Sequence, residues 1–323
     1  MRQDRSDVPE KSRRTKGKIA KAFAIRVAIY GGIYLSICAY IAYVTVQPKH
    51  RPIPNSAAAF GTKATNITFQ SADGTKLSGW LVSPGEHPKG VVVLCHGIDG
   101  DRTAMIKPAQ MLVKHGYAAL LFDFRARGES GGDRCTIGYR ETDDLLAAIA
   151  MVRARRELQG LPVGLLGHSM GGAVVLMAAS RASDIHAVIA ESPFASLDHA
   201  IHNHFSSIFG AGAKLIESPV IWFGQRLIGK PVDDIAPAKV INRIAPGSVL
   251  LIQDANDKLC PPSETKQLMS AAGDPKALWT VPNAGHVEAV DRAPDAFEAH
   301  IDAFFDHNLA KPVDAHAKLP TTR

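Results

Sequence analysis

The sequence predicts an α/β domain, a mostly parallel sheet with helices on both faces, carried behind one N-terminal transmembrane helix. Three observations lead there. Apolar runs of strand length alternate with helical patterns from residue 91 to 190, residues 27–48 are uncharged, and the whole surplus of positive charge precedes that uncharged stretch. With 46% hydrophobic and 21% charged residues among 323, the composition is that of a globular protein and excludes disordered, collagen-like and disulfide-scaffold classes.

The location of the charge settles what it means. The formal net charge is +6, and residues 1–26 hold nine bases (Arg2, Arg5, Lys11, Arg13, Arg14, Lys16, Lys18, Lys21, Arg26) against three acids (Asp4, Asp7, Glu10). Residues 27–323 carry 28 charges of each sign, so no basic surface is left over for nucleic acid. At 1.5 Å per residue, residues 27–46 make a helix of about 30 Å, the thickness of a bilayer core. Tyr30, Tyr34, Tyr40 and Tyr43 fall toward its two ends, with Lys49 and Arg51 beyond. The expected topology is a basic cytoplasmic tail (1–26), a signal anchor (27–48) and an extracytoplasmic domain. A cleaved signal peptide, trimmed near Ala57-Ala58-Ala59, is the competing reading, although the apolar run exceeds the usual length of about 7 to 15 residues. Gly32 and Ser36 form a small-xxx-small pair through which two anchors could approach; the sequence sets no oligomeric state.

Residues 49–63 read as a Pro- and Ala-rich linker, 64–307 as a single domain and 308–323 as a polar tail. The domain opens with a hairpin pattern, TNITFQ and TKLSGWLVS around an Asp73-Gly74 turn. Strands follow at 91–95, 117–122, 163–167 and 186–190, with helices near 103–115, 139–156 and 170–182 between them. The alternation breaks at about 194–240, which reads as a helical cap. It resumes with strands at 248–253 and 277–281 and helices at 263–272 and 287–307.

Candidate chemistry lies at the ends of these strands. Gly167-His168-Ser169-Met170-Gly171 joins a predicted strand directly to a predicted helix, the context in which G-x-S-x-G presents an exposed nucleophile on a tight turn. Serine is a weak nucleophile at neutral pH and needs a base held by an acid. Asp257 follows the 248–253 strand and His286 the 277–281 strand, giving the chain order Ser, Asp, His. Asp254, three residues before Asp257, is a second candidate acid; its alternative reading is a turn or a loop cap. Charge developing on a carbonyl oxygen needs preset donors, and the backbone amides of Met170 and Ile98 are the expected pair. His96 reads as a structural brace of the loop beside Gly97. No metal, nucleotide or cofactor motif is present in the sequence, and none is expected to be needed.

Together, His96-Gly97 after a hydrophobic strand, Asp123-Phe124-Arg125-Ala126-Arg127-Gly128-Glu129-Ser130, the Ser169 elbow, the Asp257 loop and Gly285-His286 resemble the α/β-hydrolase superfamily. The similarity covers about residues 64–307. Within the superfamily, the chain is most similar to the branch of serine-aminopeptidase-type hydrolases, monoacylglycerol lipases and membrane-associated depalmitoylases. The resemblance implies about eight strands with the second antiparallel, a helical cap over the site, and hydrolysis of an ester or thioester through an acyl-enzyme. An amidase or peptidase would use the same residues, and a non-catalytic membrane scaffold is the third class. Ala126 departs from the family's usual glycine. Gly138, Glu141 and Asp144 also look family-like, with Glu141 expected to partner a nearby arginine. The cap is rich in apolar residues, among them Trp222 and Phe223, which are candidates for lining a pocket for a small or lipid-like acyl substrate. Cys135 and Cys260 fall after strands expected to stand about 19 Å apart, too far for a disulfide.

Overall fold

The computed structural model describes residues 10–54, 57–185 and 187–309. The first nine residues of the basic tail and residues 310–323 of the polar tail lie outside the described residues. One unbroken helix, α1 (Glu10–Val46), runs through the rest of the basic tail and the apolar stretch. The elements that follow are β1 (Ala64–Gln70), β2 (Lys76–Val82), β3 (Val91–Cys95), α2 (Ile106–Lys114), β4 (Ala118–Phe122), α3 (Tyr139–Ala154), β5 (Val163–His168) and α4 (Met170–Ala179). After them come β6 (Ala187–Glu191), α5 (Leu197–Phe209), α6 (Ala213–Ile228), β7 (Ser248–Asp254), α7 (Pro262–Ala271), β8 (Lys276–Val281) and α8 (Pro294–Leu309).

Among the described residues, eight strands form one sheet in the order β8-β7-β6-β5-β3-β4-β2-β1. Its pairs are parallel except where β2 meets β1 and β4. Every residue of β3, β4, β5, β6 and β7 is buried, which explains why these strands read as continuous apolar runs and not as alternating ones. One face packs Val93, Phe122, Leu165 and Val188 with Leu145, Ile149, Val174 and Leu268 of α3, α4 and α7. The other packs Val92, Leu94, Leu121 and Ile189 with Leu112, Phe297, Ile301 and Phe305 of α2 and α8. From β3 the chain crosses first to β4 on one side and then to β5 on the other. Such a switch point opens a crevice at the carboxyl ends of the strands.

Two segments differ from their sequence patterns. The final helix is split into a short helix, Ala289–Arg292, and α8, because Pro294 fits a first helical turn and not an interior. That helix also runs on to Leu309, which is buried. The segment expected as a linker begins as structure: Lys49–His50 pairs in parallel with Arg127–Gly128, and the Cys135 amide donates to the Val46 carbonyl at 2.9 Å. Ion pairs Lys49–Asp99 and Arg51–Asp101 lie beside this pairing. A two-residue ladder has no side-chain periodicity to betray it.

Helix α1 also packs on the cap. Cys38 and Ala42 are buried against Phe205, Ala213 and Val220, with Ile41, Ile201, Ile216, Phe223 and Leu227 around them. The Tyr34 hydroxyl donates to the carbonyl of Leu215, near the start of α6. At the other end of α6, Arg134 donates to the Leu227 carbonyl, and its neighbour Cys135 bonds Val46. The two helices therefore run side by side in the same direction.

Candidate active site

Where β5 turns into α4, Ser169 adopts φ 54° and ψ −117°, a region strained for any residue with a side chain. The turn is tight enough that a Cβ at position 167 would stand 2.2 Å from the Gly171 carbonyl oxygen, and one at 171 would stand 2.3 Å from that of Cys95. Only glycine fits at either place, and the strain holds the serine hydroxyl clear of the sheet.

Ser169 Oγ lies 2.8 Å from Nε2 of His286, whose Nδ1 lies 2.7 Å from Oδ2 of Asp257. The Nδ1–H donates to the carboxylate, leaving Nε2 to accept from the serine hydroxyl. The other Asp257 oxygen accepts from the amides of Leu259 and Cys260 at 2.8 and 2.9 Å. Burial pushes the Asp257 carboxyl upward, but the His286 hydrogen bond, with the Cys260 amide, outweighs it and holds the group below the ordinary range. The structure thus brings Ser169, Asp257 and His286 together. Ligand atoms of Asp257, Cys260 and His286 also lie within 4.8 Å of one another, yet both carboxylate oxygens and both ring nitrogens are already engaged, and burial drives the Cys260 thiol upward. The cluster is a by-product of the triad and not a metal site.

The Met170 amide heads α4 directly after the nucleophile. Gly97 lies against Ser169, where a Cβ would come within 3.5 Å of the serine Cβ, so Ile98 follows on the same loop. Neither amide donates to a protein backbone carbonyl among the described residues.

A sequence model of the serine aminopeptidase S33 family matches residues 86–229. Esterase Pf2001 of Pyrococcus furiosus superposes with a TM-score of 0.69 at 24% identity, covering 82% of this chain and 98% of that one. The chain has the α/β-hydrolase fold. Among curated proteins, it is 29% identical over 248 residues to YfhR of Escherichia coli, spanning 75% of this chain and 80% of that protein. It is 26% identical over 247 residues to YqkD of Bacillus subtilis, covering 75% and 79% of the respective chains. Both relatives are uncharacterised.

Several residues lie elsewhere than their motifs suggest. Among the described residues, Glu141 partners no arginine: it accepts from the amides of Thr136 and Gly138 and from the Thr136 hydroxyl, capping α3. The buried arginine partner is Asp144, which holds Arg125 at 2.6 Å. His96 is fully buried, with Nδ1 2.7 Å from the Gly97 carbonyl and Nε2 accepting from the Phe124 amide. Burial lowers its proton affinity, so it is a neutral brace. Phe223 packs in the α1–cap cluster, while Trp222 is half exposed under the guanidinium of Arg226. The core cluster that contains Met170 includes Leu197, Ile228, Val232 and Ile235 of the cap, with Ile201, Ile221 and Leu227 among the residues packed against it.

Three supports of the site have roles that the sequence does not show. Asp254 is buried beneath the His286 loop, with Oδ2 accepting from the Val287 amide and the Ser192 hydroxyl, both at 2.9 Å. Glu191 accepts from the Ala289 amide on the same loop. Burial, and then the neighbouring charge of Glu191, pushes the Asp254 carboxyl up to about 7. Arg127 is the third support, donating to the carbonyls of Ile98 and Gln47.

Proposed function

We propose that the chain is a membrane-anchored serine hydrolase that cleaves carboxylic esters or thioesters through an acyl-enzyme on Ser169. The observation that carries this reading is the unbroken relay from Ser169 Oγ to His286 to Asp257, at 2.8 and 2.7 Å. In that reading, His286 takes the serine proton as Oγ attacks the acyl carbon and returns it to the leaving group. Asp257 fixes the imidazole tautomer and stabilises the imidazolium. The amides of Met170 and Ile98 receive the developing oxyanion. Water, activated by the same histidine, then releases the acid. Ile201, Ile221 and Leu227 of the cap, which pack against the core cluster that contains Met170, are better placed than Trp222 and Phe223 to sense acyl length.

The anchor reading rests on the apolar length of α1 and on the basic residues before it, which favour a cytoplasmic N-terminus and an extracytoplasmic catalytic domain. Peptide or amide hydrolysis is the second reading, favoured by the aminopeptidase description of the matching family. The intact relay argues against a scaffold.

The test is labelling of the full-length, detergent-solubilised protein by a fluorophosphonate, followed by rates across ester, thioester and aminoacyl substrates of graded length. Ser169→Ala abolishes the label and lowers turnover by about 10³- to 10⁶-fold in this reading. A label that persists in Ser169→Ala removes it, and aminoacyl substrates outrunning esters selects the amidase reading.

A further inference from the structure

If α1 spans a bilayer, the cap cannot stand clear of it. Tyr34 sits 12 residues before Val46, about 18 Å along the helix at 1.5 Å per residue, and α6 lies beside this whole length. The α5–α6 turn is therefore level with the interior of the apolar stretch, while the far end of α6 is level with the point where the chain leaves it. At the turn, Ile208, Phe209 and Leu215 are exposed large apolar side chains, Leu215 at 73%. Gly210–Gly212 closes the turn as a 3-10 segment, with the Gly210 amide donating to Ser206 and the Ala213 amide to Gly210. Nearer the exit, Trp222 lies about two turns from the end of α6, level with Tyr40 and Tyr43 of α1, and all three are exposed. That is an aromatic belt at headgroup height, with Arg226 and Lys230 on its outer side.

We infer that the α5–α6 hairpin is a second membrane-inserting element, entering the leaflet beside α1 and seating the mouth of the active site on the lipid. This rests on the anchor reading of α1. The occupant of the exposed apolar surface is the bilayer because that surface is continuous, through the Cys38–Phe205–Val220 cluster, with the helix that crosses it. Few charges oppose insertion. Glu217 is paired with His202 at 2.9 Å, and Lys214 is the one other Lys, Arg, Asp or Glu between residues 199 and 225. The site is close at hand: the side chain of Arg127 alone joins the anchor's exit at Gln47 to the Ile98 loop. The substrate class that follows is an amphiphile resident in the leaflet, delivered acyl chain first, and not a freely dissolved ester.

The experiment places an environment-sensitive fluorophore at Leu215→Cys in the full chain, reconstituted in phosphatidylethanolamine–phosphatidylglycerol vesicles containing doxyl-labelled lipid. The four native cysteines are buried, so labelling is selective. Parallel labels sit at Tyr30→Cys in the anchor and at Glu86→Cys, which precedes β3 at the opposite end of the sheet. The expected result is quenching at positions 215 and 30 and none at 86. Quenching at 30 but not 215 overturns the hairpin and leaves the anchor standing, and this is also the outcome if a second copy of the chain covers the patch. No quenching at 30 overturns the anchor and the hairpin with it. In the same vesicles, Ile208→Glu/Leu215→Glu slows a long-chain ester at least tenfold and leaves a water-soluble butyrate ester within twofold. An equal loss on both substrates overturns the inference.

Discussion

The Nε–H of Arg127 donates to the carbonyl oxygen of Ile98 at 2.6 Å. Through Nη1 the same guanidinium holds the Gln47 carbonyl at 3.0 Å, and its side chain is buried. The Ile98–Asp99 peptide, next in the chain after the amide proposed to receive the oxyanion, is thereby held in place. Arg127→Met is expected to lower kcat for a soluble ester by about 10- to 100-fold with little change in KM, because an oxyanion donor misplaced by about 1 Å is felt in the transition state first. Arg127→Lys recovers little of this, since one ammonium cannot reproduce the fork. Steady-state kinetics on the solubilised full chain measure it; a rise in KM alone, with kcat intact, contradicts it.

Asp254 gives the protein a stability profile that runs against the usual acid loss. Its carboxyl sits at about 7 in the fold, against an ordinary value of 3.8, so the folded state retains a proton that the unfolded chain has released. Its contribution is present in full below pH 4 and is lost as pH rises toward 7, after which it is level. Asp254→Asn keeps an oxygen for the Val287 amide and removes the titration. Its melting temperature should rise relative to the parent between pH 5 and pH 8; a constant difference across that range assigns the effect elsewhere.

Arg125 is 4% exposed and ties Asp144 to Asp73 and Ser71. Burial pushes Asp144 upward while the arginine opposes it. Arg125→Met leaves that carboxyl buried without its partner and is expected to cost about 3–5 kcal/mol. Adding Asp144→Leu should recover a large part, because two apolar groups of similar volume need no partner. Denaturant midpoints of the single and double variants decide it.

Ala126 occupies a left-handed conformation, φ 57°, where glycine is free of strain. Ala126→Gly is expected to stabilise the protein by up to about 1 kcal/mol, the relief of strain exceeding the extra entropy of the unfolded chain. A lower denaturant midpoint for the variant would show that the Ala126 methyl, which is fully buried, is worth more in packing than its conformation costs.

Removal of residues 1–47 exposes Phe205, Ala213 and Val220, which α1 covers. The truncated chain should self-associate or require detergent at concentrations where an ordinary soluble hydrolase is monomeric. Sedimentation with and without detergent tests this, and a monodisperse monomer in buffer alone contradicts it.

The order of the sheet and the positions of Ser169 and His286 are legible in the sequence because each is announced locally. A strand that is buried on both faces must be apolar throughout, and a strand-turn-helix junction this tight must carry glycines at 167 and 171. Asp257 is legible by its place after β7, although only the structure separates it from Asp254, which faces the same loop from beneath. Arg127, Asp254 and Glu191 are not legible in their roles, since their partners are backbone amides and carbonyls far away in the chain, and any residue can supply those. The same holds for Lys49–His50. The docking of α1 on the cap depends on small residues, Cys38 and Ala42, whose meaning lies in how closely another helix approaches.

Only Gln47 and Pro48 separate the end of α1 from the paired residues Lys49–His50. A helix joined to a domain with so little slack, and gripped along three turns by α6, transmits torque. In a bilayer, the tilt of such a helix follows the thickness of the hydrocarbon layer. With α1 as the proposed anchor, the catalytic body leans through the same angle, so that lipid chain length, acting as a lever, sets the attitude at which the Ser169 crevice meets the surface.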